Sequence, residues 1–220
     1  MRQLRYGLTA LGIAAAGAAL AADHADAPLL KGDKGDHAAD ITDVYLFRAA
    51  GKLVGAINIT GAPDPQARVD RATGSFDPKV LFTYQLDTNC DGKPDRSVYV
   101  RFGTNAAGQS GVQLENVPGA GADQVAGPVE KINTTPSGLR YFAGLRDDPF
   151  FFDFVGFTAT EATFGPEDEP PTGMLMFDHT RDSFGQRNIT SIVFEMDLAE
   201  ATKDVSNHTI CAFATSGRMM

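Results

Sequence analysis

Apolar runs of strand length recur along this chain, and most of them are bounded by Gly, Pro or Asp. Val44 to Phe47 and Leu53 to Ile59 are two such runs, and the intervening Ala49-Ala50-Gly51-Lys52 predicts a hairpin. Pro63, Pro65 and Gly74 punctuate a loop. Val80-Leu86 and Val98-Phe102 then follow as β-branched and aromatic segments, which suit a pleated, half-buried surface. A Gly/Ala-rich stretch contains one short candidate around Val112 to Val117. Ile189 to Met196 and Thr209 to Ala214 predict two further strands. The helical period is scarce, and only Asp197 to Lys203 predicts a helix, of about two turns. Short strands separated by Gly/Pro turns predict a mostly β fold, an antiparallel β-sandwich or partly open barrel with few short helices.

The first residues change the picture by adding a destination. Arg2 and Arg5 precede an apolar run from Leu8 to Leu20, and Ala19-Leu20-Ala21 is a small-x-small cleavage site, so residues 1–21 read as a signal peptide. The run falls short of the roughly 20 apolar residues of a comfortable membrane span, and no later stretch approaches that length. The expectation is a periplasmic or extracellular protein with no transmembrane segment after cleavage. Residues 22–43 are rich in Asp, Gly and Ala and read as an extended N-terminal arm; residues 44–220 read as a single β-rich domain.

A formal net charge of −9 and the lack of any Lys/Arg cluster argue against nucleic acid as a partner. Cys90 and Cys211 permit one disulfide in an exported chain. Because Cys90 lies inside an acidic loop, the sequence alone favours two separate thiols.

That loop, Asp87 to Asp95, carries the most specific chemistry. Asp87, Asn89, Asp91 and Asp95 occupy positions one, three, five and nine of a calcium-loop pattern, and Gly92 occupies the sharp turn at position six. Lys93 would contribute its carbonyl at position seven. Val98 stands at position twelve, where a bidentate Glu would complete the set. Calcium is thus the one cofactor the sequence suggests. The competing reading is an acidic hairpin connection, rich in turn formers because turns need them.

Two other clusters combine charge with less fixed spacing. Asp23, His24, Asp26, Asp33, Asp36, His37, Asp40 and Asp43 crowd the N-terminal arm and could hold a divalent metal, or could be a solvated terminus. Arg146-Asp147-Asp148-Pro149 runs directly into Phe150-Phe151-Phe152-Asp153. Paired carboxylates beside an Arg suit acid–base work, while the structural alternative makes Asp148-Pro149 a turn and the Phe run a core anchor. Three consecutive Phe cannot all face one side of a strand. Nucleophile-elbow, phosphate-loop and dinucleotide fingerprints are absent.

Several blocks resemble one family. His24-Ala25-Asp26-Ala27-Pro28, Asp40-Ile41-Thr42-Asp43-Val44-Tyr45-Leu46-Phe47, Phe142 to Asp153, and Asp182-Ser183-Phe184-Gly185 with the strand ending in Glu195 are together similar to the secreted bacterial family catalogued as domain of unknown function 4331. The resemblance implies export and a β fold, and it implies no activity or active-site residues. The family often continues past the last strand, so a chain stopping at Arg218-Met219-Met220 implies a shortened C-terminus. The stretch from Glu161 to Gly173, with Pro166, Pro170 and Pro171, also departs from the look of a packed element. The family-like blocks further suggest a polar network of His24, Asp40, Asp43, Arg146 and Asp147, fastening the first strand to the Phe-rich segment.

The functional expectation is an exported, non-catalytic domain that binds a ligand or protein partner, with calcium as a structural clip. One alternative is a metal-assisted hydrolase using the N-terminal Asp/His segment with Asp147 and Asp148. Another is a structural envelope or matrix component.

Overall fold

In the computed structural model, which describes residues 36–59, 75–164, 172–185, 188–203 and 209–219, the first hairpin turns through Ala50 and Gly51. Both residues have positive φ, 48° and 78°, the twist that a two-residue connection needs to match its strands. The turn joins β1 (Ile41–Ala49) to β2 (Lys52–Ile59). There follow β3 (Val80–Asp87), β4 (Arg96–Thr104), β5 (Ser110–Glu115), β6 (Gln124–Pro128), β7 (Asn133–Thr134) and β8 (Arg140–Asp147). Helix α1 (Phe154–Ala162), β9 (Asn188–Met196), the one-turn α2 (Leu198–Ala201) and β10 (Cys211–Arg218) complete the order.

The strands form two five-stranded antiparallel sheets, the first ordered β1-β2-β9-β8-β7 and the second β10-β3-β4-β5-β6. Their facing sides make the core of a sandwich. Ile57, Ile192, Phe194 and Met196 of the first sheet meet Phe82, Tyr84, Val98 and Val100 of the second, all essentially inaccessible to water. Tyr84 and Phe194 pack edge to face at 5.2 Å above Gly55. A Cβ at Gly55 would lie 2.9 Å from Phe194 Cζ and 3.0 Å from Tyr84 Cζ, so the glycine is required by packing. The Tyr84 hydroxyl donates to the Tyr45 carbonyl at 2.8 Å, tying the second sheet to β1. Burial pushes this phenol well above its usual range.

Several sequence expectations move. Strand β1 starts at Ile41 rather than Val44, because Ile41 pairs with Ile59 across an irregularity next to Asp43. The last strand runs Cys211–Arg218 instead of Thr209 to Ala214, paired throughout with β3. Strands β6, β7 and β8 and helix α1 were not anticipated. The two cysteines are not separate thiols: Cys90 and Cys211 form a disulfide across 121 residues, which the pairing of Cys211 with Asp87 brings within reach.

Candidate functional site

The acidic loop between β3 and β4 is organised by its own backbone. Asp87 is buried, with one oxygen accepting from Gly92 N at 2.7 Å and the other from Asp91 N at 3.2 Å and Asn89 N at 3.3 Å. Burial opposes the charged form of this carboxyl, yet the bonds from Gly92, Asp91, Asn89 and Cys90 hold its pKa below the usual range. Asn89 Oδ1 accepts from Asp91 N, and Asp91 Oδ1 from Lys93 N, both at 2.9 Å. Asp95 turns toward Thr88, accepting from its N–H at 2.7 Å and its hydroxyl at 2.6 Å. Gly92 adopts φ of 84°, as position six requires, and Cys90 adopts 57°. Among the described residues no three His, Cys, Asp or Glu side chains come together as a metal-holding group.

The suggested polar network is redrawn. His24 lies outside the described residues. Asp40 is buried, and Asp43, half-buried with one carboxylate oxygen shielded from solvent, stands on β1 in register with Asn58 of β2, whose amide oxygen accepts from the Ser191 hydroxyl of β9 at 2.7 Å. Arg146 and Asp147 do not join them, because β2 and β9 stand between β1 and β8. Arg146 is half-exposed, stacks over the Phe142 ring at 4.0 Å and lies 3.8 Å from Glu130; Asp147 is exposed. Glu130 reaches this place because the chain leaving β6 crosses to the first sheet, where Glu130 N donates to Ala143 O at 2.7 Å. The residue that does approach β1 is Asp148. The Tyr45 phenol is pushed up to about 12 by burial, then by the charges of Asp43 and Asp148 and a hydrogen bond to Asp43. The chain beyond β8 therefore turns back toward the β1 side of the sheet.

That segment builds the most apolar surface among the described residues. Phe150, Phe152, Phe157 and Phe184 form an aromatic cluster with ring centroids 5.4–5.6 Å apart for three pairs; these half-buried rings pack on one another outside the sandwich core, so the Phe run is not the core anchor expected of it. Phe151, which alternation turns away, is 56% exposed. Asp153 caps α1 by accepting from Gly156 N at 2.8 Å, and its second oxygen accepts from Asp178 N at 2.8 Å. Burial works against the charged carboxylate of Asp153, but those N–H bonds and Arg181, 3.2 Å away, keep its pKa low.

Asp153 thereby fixes one end of an extended strap, residues 172–178, along α1. Thr160 accepts from Met176 N at 2.9 Å while donating to Gly156 O, and Thr163 donates to Met174 O at 3.2 Å. Gly156 allows the close approach, since a Cβ there would lie 2.7 Å from Met176 O. With its backbone occupied by the polar side of the helix, the strap presents Met174, Leu175, Met176 and Phe177 to solvent. Phe151, Phe154, Val155 and Phe164 extend the same display. Eight of the eleven exposed large apolar residues among those described fall between Phe151 and Phe177. Sequence reading passed over this surface, although Met174-Leu175-Met176-Phe177, a run of four large apolar residues directly after a Pro-rich stretch, was its signal.

No family model, curated protein or solved structure matches the chain.

Proposed function

We propose that this chain is an exported, non-catalytic binding domain that presents the α1–strap surface to a protein partner. The carrying observation is the concentration of exposed Phe, Met and Leu on one backbone-anchored segment. Clustered apolar exposure of this kind marks interaction sites, whereas single exposed apolar residues are ordinary. Met side chains adapt to an irregular partner, and Phe supplies large anchors with few rotatable bonds. The signal-like leader and the resemblance to a secreted family support export. The hydrolase reading gains no support among the described residues: Asp147 is exposed, and Asp148 is buried, with its charge acting on Tyr45.

A photo-crosslinking side chain at Leu175, introduced into the chain expressed in its own host, is expected to trap one defined protein adduct. The same probe at exposed Asp123 is expected to trap none. Leu175→Ser with Phe177→Ser should abolish an adduct formed from a probe at Val155 without altering the circular dichroism spectrum, since neither side chain holds the strap. Equal labelling from Leu175 and Asp123 would remove the reading.

A calcium clip in the Asp87 to Asp95 loop is a second proposal, supported by the ligand spacing and by Gly92 at positive φ. With no Glu at position twelve, affinity should be weak, about 10⁻⁴ to 10⁻³ M. Thermal unfolding in chelator and in millimolar calcium is expected to differ for the wild type and to coincide for Asp91→Ala. Coincidence in both proteins would leave an Asp-rich turn held by its own N–H groups.

A further inference from the structure

The outer face of the second sheet contains a broad trough of about 1030 Å³ that the partner-binding reading does not use. Register places Arg101, Gln113 and Ala126 in one row across β4, β5 and β6, and Gly103, Gly111 and Pro128 in the next. Neighbouring Val100, Phe102, Val112 and Leu114 point the other way, into the core. The glycine row drops the floor to backbone level between Arg101 and Gln113 on one side and the Asn105–Gln109 turn on the other.

Among the described residues nothing in backbone geometry or packing requires the glycine at 103. Its φ is not in the left-handed region, and a Cβ built on it meets nothing within 4 Å. Gly111 has a partial reason, because its Cβ would come 3.1 Å from Gly127 O. Strand interiors lose stability to glycine, and where neither backbone geometry nor packing demands one, the open position fits the approach of a ligand.

The side chains around this floor are tied to one another in fixed orientations. Asn105 donates to Gln109 Oε1 at 2.9 Å while its own oxygen accepts from Ala107 N and Gln109 N. Gln113 donates to Glu115 Oε1 at 2.7 Å, and Arg101 Nε lies 3.8 Å from the same oxygen. Arg101 lies 3.8 Å from Glu115, and the lining carboxylate of Glu130 lies 3.8 Å from Arg146, so each charge at the rim has an opposite charge beside it and neither an anion nor a cation is selected. Each amide and the guanidinium still has donors or acceptors to spare, because an amide offers four hydrogen bonds and a guanidinium five. Planar groups with mixed donors and acceptors, held rigid over an open floor, match hydroxyls that donate and accept at once. The volume lies at the upper end of what one small molecule fills, on an open face, which suits an extended ligand.

We infer that this trough binds an uncharged, hydroxyl-rich chain, an oligosaccharide. Binding of the full chain to an array of neutral and charged oligosaccharides tests it, followed by titration of the best neutral ligand. The expected result is retention by neutral glycans, weakened at least about tenfold by Gly103→Tyr, which fills the floor, and by Gln113→Ala. Both variants should keep the wild-type melting temperature, and Leu175→Ser should bind as the wild type does, which separates this site from the α1–strap surface. If no neutral glycan is retained, if charged glycans bind better, or if Gly103→Tyr binds unchanged, the inference is wrong. Should Gly103→Tyr fail to fold, Gln113→Ala alone decides.

Discussion

Replacing both cysteines, Cys90→Ser with Cys211→Ser, is expected to destabilise the domain by about 4 kcal/mol. The bridge closes a loop across 121 residues, and loop-closure entropy makes long links the most effective in restricting the unfolded chain. The native side of the balance points the same way. Strand β10 is an edge strand whose side chains are half-buried at best, with Ala212 and Ala214 among its few contacts to the core. Little apolar area therefore holds it, and the disulfide anchors its first residue to the β3–β4 loop. At the far end Arg218 pairs with Asp36 and Asp77, ion pairs at the surface that contribute little by themselves. Without the bridge, β10 should fray first. Urea unfolding gives the overall loss, and hydrogen exchange should show β10 amides losing protection before those of β4. An unchanged midpoint with β10 still protected would mean that the ladder to β3 suffices.

What was legible in the sequence was local. The Ala50-Gly51 hairpin could be read because two residues between apolar runs leave few options, and Val80 to Leu86 because its alternation matches a half-buried pleat. Strand order was not legible. Arg146 and Asp43 each adjoin apolar runs, and linear reading joined them; the order β1-β2-β9-β8 puts two strands between them and leaves Arg146 to Glu130. Strand β8 was hidden because Phe142-Ala143-Gly144 breaks the usual strand composition and its middle, buried from Tyr141 to Gly144, has no alternation. Helix α1 was hidden for a related reason. Phe-Val-Gly-Phe-Thr-Ala-Thr-Glu-Ala has no 3.6 stripe, because its buried residues are Gly156 and Thr160, chosen for close approach and hydrogen bonding to the strap. The disulfide depended on the register of β10 against β3, which spacing alone does not contain. In the calcium pattern the spacing was visible, but the direction of each carboxylate was not: Asp95 turns to Thr88, and Asp87 to the loop's own N–H groups.

Phe194→Ala is expected to cost about 3–5 kcal/mol, the range for emptying a buried aromatic position. Phe194 is 1% exposed and sits where both sheets meet, against the Tyr84 ring and over Gly55. The same junction makes the opposite change costly. Gly55→Ala would place a methyl 2.9 Å from Phe194 Cζ, and overpacking of this kind typically costs about 1–3 kcal/mol. If steric conflict with the Phe194 ring is the cause, removing the ring removes much of the penalty. In the Phe194→Ala background, Gly55→Ala should then be far less destabilising, because its methyl enters the space just vacated. A double-mutant cycle by urea unfolding measures this directly, with a coupling of about 1 kcal/mol or more expected for residues in contact. Additive losses would show that Gly55 is needed for another reason, which leaves the 3.0 Å approach of Tyr84 Cζ. Tyr84→Phe isolates the hydroxyl, since it keeps the ring and removes only the hydrogen bond to Tyr45 O, for a loss of about 1 kcal/mol.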